Sequence, residues 1–385
     1  YIFPQKKYKS IGLQLSSFGH TQDNYFGTTV YNAKQNNFYG NLIYQSIIKT
    51  TAHKFRAGLS FLYDNYNETL NTLNVKRKET VPGAFVEYTF IPNEKFTMVA
   101  GLRADNNNLF GTFVTPRLNV RYAPLKNTTI RLSAGRGQRT ANPIAENMSV
   151  LASARQIILP PNYSGSVYPF NPEIAWNEGL SIDQQFKLFE RGASFSIDFF
   201  RTDFTKQVII DEDVSARQAI FSNLNGRSYS NALQAEFNVK PVSGLDVRMA
   251  YRRYDVKTTY HGELLQKPLV AKNRTFITLD YETHNQWKFD VTSNLIGTKR
   301  LPYTGDNPVQ FQLKNYSPAY FLMNAQISKS WKIFDAYAGC ENITGYRQNN
   351  LIIDAAHPFD NYFDASIVWG PAIGRMFYVG LRYKI

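Results

Sequence analysis

Cysteine is nearly absent from this 385-residue chain, and the lone Cys340 excludes an internal disulfide framework. Histidine is scarce as well. Its five copies are scattered without metal-ligand spacing, and no nucleophile, base and orienter can be read together, so neither metal chemistry nor catalysis is signalled. No run of eighteen or more apolar residues occurs, which rules out crossing a membrane by helices. Charged residues reach only 19%, and although the net charge is +13, Lys and Arg are spread along the chain with no basic arm or recognition helix. That distribution argues against nucleic acid. An initiator Met, a signal peptide and a globular N-terminal region are all missing, so the sequence reads as a fragment of a longer protein.

What the chain does have is aromatic side chains, at 15% of residues, and alternation. Period-2 patterning places one set of side chains on each face of a strand. Phe55, Ala57, Leu59, Phe61 and Tyr63 oppose Arg56, Gly58, Ser60 and Asp64. Phe96, Met98, Ala100 and Leu102 oppose Thr97, Gly101, Arg103 and Asp105. Leu118, Val120 and Tyr122 oppose Arg117, Asn119 and Arg121, and the same holds around Leu233–Val239 and Trp287–Val291.

The connections alternate too. Short turns are expected at 51–54, 92–95, 124–127, 190–192, 241–244, 284–286 and 331–333. Longer polar segments lie between them at about 21–36, 67–80, 106–113, 141–172, 211–221, 258–272, 301–318 and 346–372. Seven short and eight long connections give sixteen strands with every long loop at one end. This is the pattern of a transmembrane antiparallel β-barrel with short periplasmic turns and long extracellular loops. A soluble sandwich or propeller accounts less well for the strand lengths and for loops that alternate in length. The expectation is an all-β chain, 1–385 forming one barrel domain in the outer membrane of a Gram-negative bacterium. Its basic balance would face lipopolysaccharide phosphates and outer-membrane lipid.

The closing stretch GRMFYVGLRYKI (374–385) resembles the last strand of an outer-membrane protein, departing from the habit of a final Phe at Ile385. Four further segments resemble the TonB-dependent receptor family: TPRLNVRYAP (115–124), TTIRLSAGRGQRTANPIAEN (128–147), NPEIAWNEGLSI (171–182) and GCENITGYRQNN (339–350). Their flavour is that of Bacteroidota members. The resemblance implies a 22-stranded barrel closed around an N-terminal plug. This chain would supply about sixteen of those strands, and the plug, the first six strands and the segment gripped by TonB would lie outside it.

Gly135, Gly137 and Arg139 superficially suggest a phosphate loop, but no strand–loop–helix context accompanies them. Counting from Ile130 and Leu132 as lipid-facing, Arg131 and Arg139 point into the lumen. The resemblance implies that inward Arg131 and Arg139, with Arg117 and Asn177, meet the plug; pairing with the barrel's own carboxylates is the alternative. Ligand contact is expected from the loops. Candidates there are Tyr163 and Tyr168 (with Asn162 and Phe170 nearby), and Arg347, His357, Tyr362 and Trp369. Their aromatic and polar mixture suits a siderophore, a corrinoid or a sugar, and loop packing or headgroup anchoring is the blander reading. His20 and His357 are weak candidates for a metal chelate. No resident cofactor or metal and no enzymatic activity is expected. The implied function is TonB-dependent import of a scarce nutrient such as a ferric siderophore, cobalamin or oligosaccharide. The alternatives are a passive sixteen-stranded porin and a structural barrel subunit of an envelope complex, because a fold does not fix a function.

Overall fold

The computed structural model describes residues 1–160 and 168–384. Among these residues twenty strands form: β1 (Ser10–Phe26), β2 (Thr29–Ile48), β3 (Thr50–Leu70), β4 (Leu73–Asn93), β5 (Phe96–Asn107), β6 (Gly111–Tyr122), β7 (Thr128–Arg139), β8 (Gln156–Ile158), β9 (Glu173–Leu188), β10 (Arg191–Lys206), β11 (Val208–Asp211), β12 (Gln218–Asn223), β13 (Ser228–Val239), β14 (Leu245–Tyr260), β15 (Glu263–Gln266), β16 (Asn273–Glu282), β17 (Trp287–Ile296), β18 (Tyr320–Ser330), β19 (Phe334–Glu341) and β20 (Met376–Tyr383). β8, β11 and β12 make a small separate sheet, and β15 folds back on β14 as a hairpin. The remaining sixteen form an antiparallel meander in which each wall strand pairs with the next, as the alternation predicts.

All seven short turns join neighbouring wall strands at one end. The first lies earlier than expected. Lys49 takes a positive φ of 62° and closes the β2–β3 hairpin beside a register irregularity at Ile47 and Ile48, so residues 51–54 continue the strand. At the other end, three segments expected as loops are strand instead. The ladders run to Phe26↔Thr29, Leu70↔Leu73 and Asn107↔Gly111. Their Asn, Gln, Lys and Thr content reads as loop, yet backbone hydrogen bonding continues well past the roughly 9–11 residues that a membrane-spanning strand needs.

Apolar residues face outward and polar ones inward, the inverse of a soluble sheet. Leu59 is 61% exposed while its neighbour Ser60 is 7% exposed, and Asp64, Glu87 and Asp105 are buried on the inner side. Phe61, Leu118 and Phe289 share the outward exposure, and Val120 and Val291 stand partly exposed on the same face. Among the described residues no ladder joins β1 to β20. Both strands are bare along most of their length: Val379 is 84% and Leu381 77% exposed, against 40% at Phe289 and 61% at Leu59 on strands with two neighbours.

Among the described residues, the end with long connections carries two apolar cores. One joins Tyr31, Tyr66 and Val75 on the projecting strands to Ile144, Leu151 and Phe170. The second joins Ile296 and Tyr320 at the strand ends to Ile353, Ile367 and Trp369 of the segment before β20.

Candidate functional site

Two arrangements carry polar chemistry: the inner face of β3–β9 and the roof of loops above it. Inward polar residues at i, i+2 spacing stack along each strand, because strand side chains repeat every second residue. Arg77 of β4 is buried between Asp64 (3.2 Å) and Glu79 (3.3 Å), and it also donates to Asn142 Oδ1 at 2.7 Å. Arg103 of β5 makes a bidentate pair with Asp105 (2.6 Å to each oxygen) and donates to Ser60 Oγ at 2.7 Å. A cavity of about 550 Å³ opens beside them, lined among others by Gln35, Tyr39, Arg77, Arg103, Asp105 and Arg139.

All four residues expected to meet a plug point inward. Arg117 pairs with Glu87, and Arg131 with Asp183. Arg139 bridges Glu173 (2.7 Å) and Glu146 (2.7 and 2.9 Å), tying the wall to the 3-10 turn at Ala145–Ala152. Asn177 accepts a hydrogen bond from Thr202 Oγ1 at 2.6 Å. Each arginine therefore has a carboxylate of this chain, yet all three side chains remain more than half exposed to the lumen.

The loop candidates divide. Tyr163, with Asn162, lies outside the described residues. Tyr168 is buried and donates its hydroxyl to Glu68 Oε2 at 2.6 Å, beside Tyr31 and Tyr66, whose hydroxyls lie 3.2 Å apart. Burial raises the Glu68 carboxyl and the Tyr31 and Tyr168 hydroxyls above their ordinary ranges, and brings Tyr66 to about 12. Phe170 is buried in the same core. Trp369 is buried too: its carbonyl accepts from Lys299 Nζ (2.6 Å) and Tyr320 Oη (3.1 Å), and its N–H donates to Gln348. Tyr362 is partly exposed, tilted against Phe311 and beneath the Arg217 guanidinium. Arg347 and His357 are exposed, and His357 Nδ1 lies 2.8 Å from Asp354 Oδ1. Tyr168 and Trp369 thus pack loops together, while Tyr362, Arg347 and His357 keep a face to solvent. His20 is exposed and bonded to Gln22.

The node that ties the roof together is Arg155, which sequence reading passes over. Its buried guanidinium pairs with Asp364 (3.0 Å), lies 3.9 Å from Glu212, and donates to the carbonyls of Glu212, Ser215 and Gln218. Three connections far apart in sequence meet there, and burial raises the Glu212 carboxyl. A fourth joins through Arg300 and Asp213 (2.8 Å) and through Asp306, which accepts from Ser215 and Ala216. The segment before β20 also reaches the first hairpin: the ring of Phe359 fills the space that a side chain at Gly27 would take. The i, i+2 pairs Arg77/Glu79 and Arg103/Asp105 are visible in the sequence once parity is applied. Arg155 offers no such signal, since its partners are set by loop packing.

Set beside known proteins, residues 5–343 match the family model for the TonB dependent receptor-like β-barrel. The chain belongs to this family. No curated protein matches it by sequence. Solved structures share its fold at low identity. The siderophore receptor PirA of Pseudomonas aeruginosa aligns at 14% identity and TM-score 0.60 over 97% of this chain and 64% of its own. A mutant of the ferric enterobactin receptor PfeA of the same species aligns at 14% and 0.67 over 96% and 61%. The copper transporter OprC aligns at 12% and 0.64 over 93% and 57%. The TonB-dependent barrel therefore spans less than two thirds of the length of each of these proteins.

Proposed function

We propose that this chain is the greater part of the barrel of an outer-membrane receptor that imports a scarce nutrient by TonB-driven transport, with a metal chelate of the ferric siderophore type as cargo. Family membership carries this reading. The similarity in fold to siderophore receptors and a copper transporter favours a chelate over cobalamin or an oligosaccharide. An inward face rich in ion pairs, beneath a roof of packed loops, suits a lumen that is filled and emptied. The lineage reading as Bacteroidota rests on the four sequence segments alone. In this reading a plug and further strands precede the chain. Arg117, Arg131, Arg139 and Asn177 present donors to the plug, and Arg347, His357 and Tyr362 present their exposed faces to cargo.

A passive porin is the second reading, favoured by the count of sixteen wall strands. The bare edges of β1 and β20 weigh against it, since unpaired backbone in hydrocarbon costs several kcal/mol per group. Growth on a panel of ferric siderophores under iron limitation separates the two. Import predicts that growth on at least one chelate is lost when the gene is deleted and equally when TonB is deleted. Uptake that survives loss of TonB and rises linearly with concentration would establish the porin instead.

A further inference from the structure

Toward the loop end the wall is split between β6 and β7. Each keeps its other neighbour to the top, β6 pairing with β5 as far as Asn107↔Gly111 and β7 with β9 as far as Arg139↔Glu173, but their own ladder stops at Arg117↔Gly135. Pro116 explains the stop. Carbonyls alternate in direction along a strand, and those of Val114 and Pro116 lie on the β7 side. The first accepts from Arg136 Nη1 at 2.9 Å, and the second is 3.4 Å from where a Cβ at Gly135 would stand. The next ladder bond would need an N–H from Pro116, which has none. Beyond Arg139 the chain turns inward to β4, past β5 and β6: Thr140 donates to Glu79 at 2.9 Å and Asn142 accepts from Arg77 at 2.7 Å. The split is a window into the cavity of about 550 Å³. Phe113 and Thr115 line that cavity from one edge and residues 136–139 from the other, so β7 contributes side chains of both parities, and a Cβ at Gly137 would meet nothing within 4 Å. Outside the window, Leu102, Val114, Leu118 and Trp176 are exposed on the lipid side.

We infer that this window admits the alkyl tail of an amphiphilic metal chelate, whose polar head fills the cavity while the tail stays in the outer leaflet. The cavity is of the size that small-molecule sites have. Four arginines line it against three carboxylates, which suits a head that is neutral or singly negative rather than a highly charged one. Asn37, Tyr39 and Gln138 add donors and acceptors for hydroxamate or hydroxyl oxygens. The tail leaves between Val114 and Arg136, whose guanidinium spans the gap in its absence. Each methylene kept in lipid strengthens attachment about fourfold, so the tail adds affinity without further contacts from the protein. This inference rests on the import reading above and narrows its cargo to chelates that carry an acyl chain.

The test uses the full-length receptor in nanodiscs and two probes with the same head: the ferric complex of a linear trihydroxamate carrying either a dodecanoyl or an acetyl group, with binding corrected for empty discs. The dodecanoyl probe should bind about tenfold more tightly or better. Val114→Trp, which narrows the outer mouth, should remove that preference and leave the acetyl probe as it was, whereas Leu125→Trp in a turn should change neither. A diazirine on the tail carbon next to the head should label residues 112–118 and 134–138 well above the outward face of β17, and excess dodecanoyl probe without the diazirine should suppress that labelling. Equal binding of the two probes, a preference that survives Val114→Trp, or labelling spread evenly around the lipid face overturns the proposal and leaves a gap filled by Arg136 alone. None of these measurements involves TonB. Growth on chelates that persists without TonB would therefore remove the import reading, while failure of the probes with TonB-dependent growth intact removes only the window.

Discussion

The two ends of this barrel wall are built on different principles. At one end seven connections of at most five residues turn one strand directly into its neighbour. Contacts there are local, and turn residues do the work: Lys49, Phe189, Glu190 and Gln286 adopt positive φ, and Gly244 at φ 79° packs against the Glu282 carbonyl. At the other end, residues more than two hundred positions apart meet around buried charge, as Arg155 and Asp364 do. A turn closed by neighbours is stabilised by the ladder on both sides of it. A roof closed by distant loops holds only while each partner stays in place. The turn end should therefore tolerate substitution and the loop end should fail as a unit.

The sharpest way to break that contrast is Arg155→Ala. It leaves Asp364 and Glu212 buried without their cation, a situation that costs about 3–5 kcal/mol. Hydrogen exchange should rise together in the three connections that meet at Arg155, within residues 141–160, 207–227 and 342–375, while the heat-modifiable shift of the folded barrel persists. Exchange confined to the segment carrying Arg155 would show that the roof is not cooperative.

Next in size is a charge on the outer face. Leu59→Arg or Phe289→Arg puts a guanidinium into hydrocarbon, at a cost of about 2–4 kcal/mol near the midplane that falls toward zero at the interfaces. Urea unfolding in bilayers measures it. The same substitution at Leu125, exposed in a turn, should change little, and equal costs at both places would remove the membrane face from the account.

These contrasts also explain what could be read before the structure. Wall strands were legible because alternation is a local signal: counting places Arg131 and Arg139 on the inner face and alternation with Leu118 places Arg117 there, whereas Asn177 comes in only through the family resemblance. The projecting strands misled because Asn, Lys and Thr are common both in loops and on hydrated sheet. The clue that separates the two was period-2 burial, visible at Tyr31/Ala33 and at Val75/Arg77/Glu79. Tyr168 and Trp369, candidates for ligand contact with loop packing as the alternative, are buried between loops. An aromatic in a long loop can face cargo or face another loop, and only the other loop's position decides. Arg155 was missed for the same reason.

The lumen arginines test the comparison from inside. Removing Arg131 and Arg139 together deletes pairs whose cations are more than half exposed, so the pairs with Asp183 and Glu146 should each be worth no more than about 1 kcal/mol, and the larger part of any loss should fall at Glu173, whose carboxylate is buried. If they contact a plug as proposed, single-channel conductance of the full-length double Ala variant should rise above that of the parent. A variant as tightly closed as the parent would confine both arginines to satisfying Asp183, Glu173 and Glu146.

The smallest effect belongs to His357, at the loop end but outside the buried node. The hydrogen bond that the ring donates to Asp354, then the charge of Asp354 and that of Asp360, hold the imidazole above its ordinary value near 6.5. A raised pKa means that the folded chain binds the proton more tightly than the unfolded one. The pair's contribution is therefore fully present below about pH 6.5 and is lost as pH rises through the raised value. His357 is exposed, so screening by water should leave the roof's exchange rates unchanged across that range, in contrast to Arg155→Ala. An NMR titration of the ring should show the upward displacement and its loss in Asp354→Asn. Roof exchange that accelerates between pH 6 and 8 in the parent, and not in His357→Gln, would mean that this exposed pair holds the loops shut and that the division between a buried node and a passive rim is wrong.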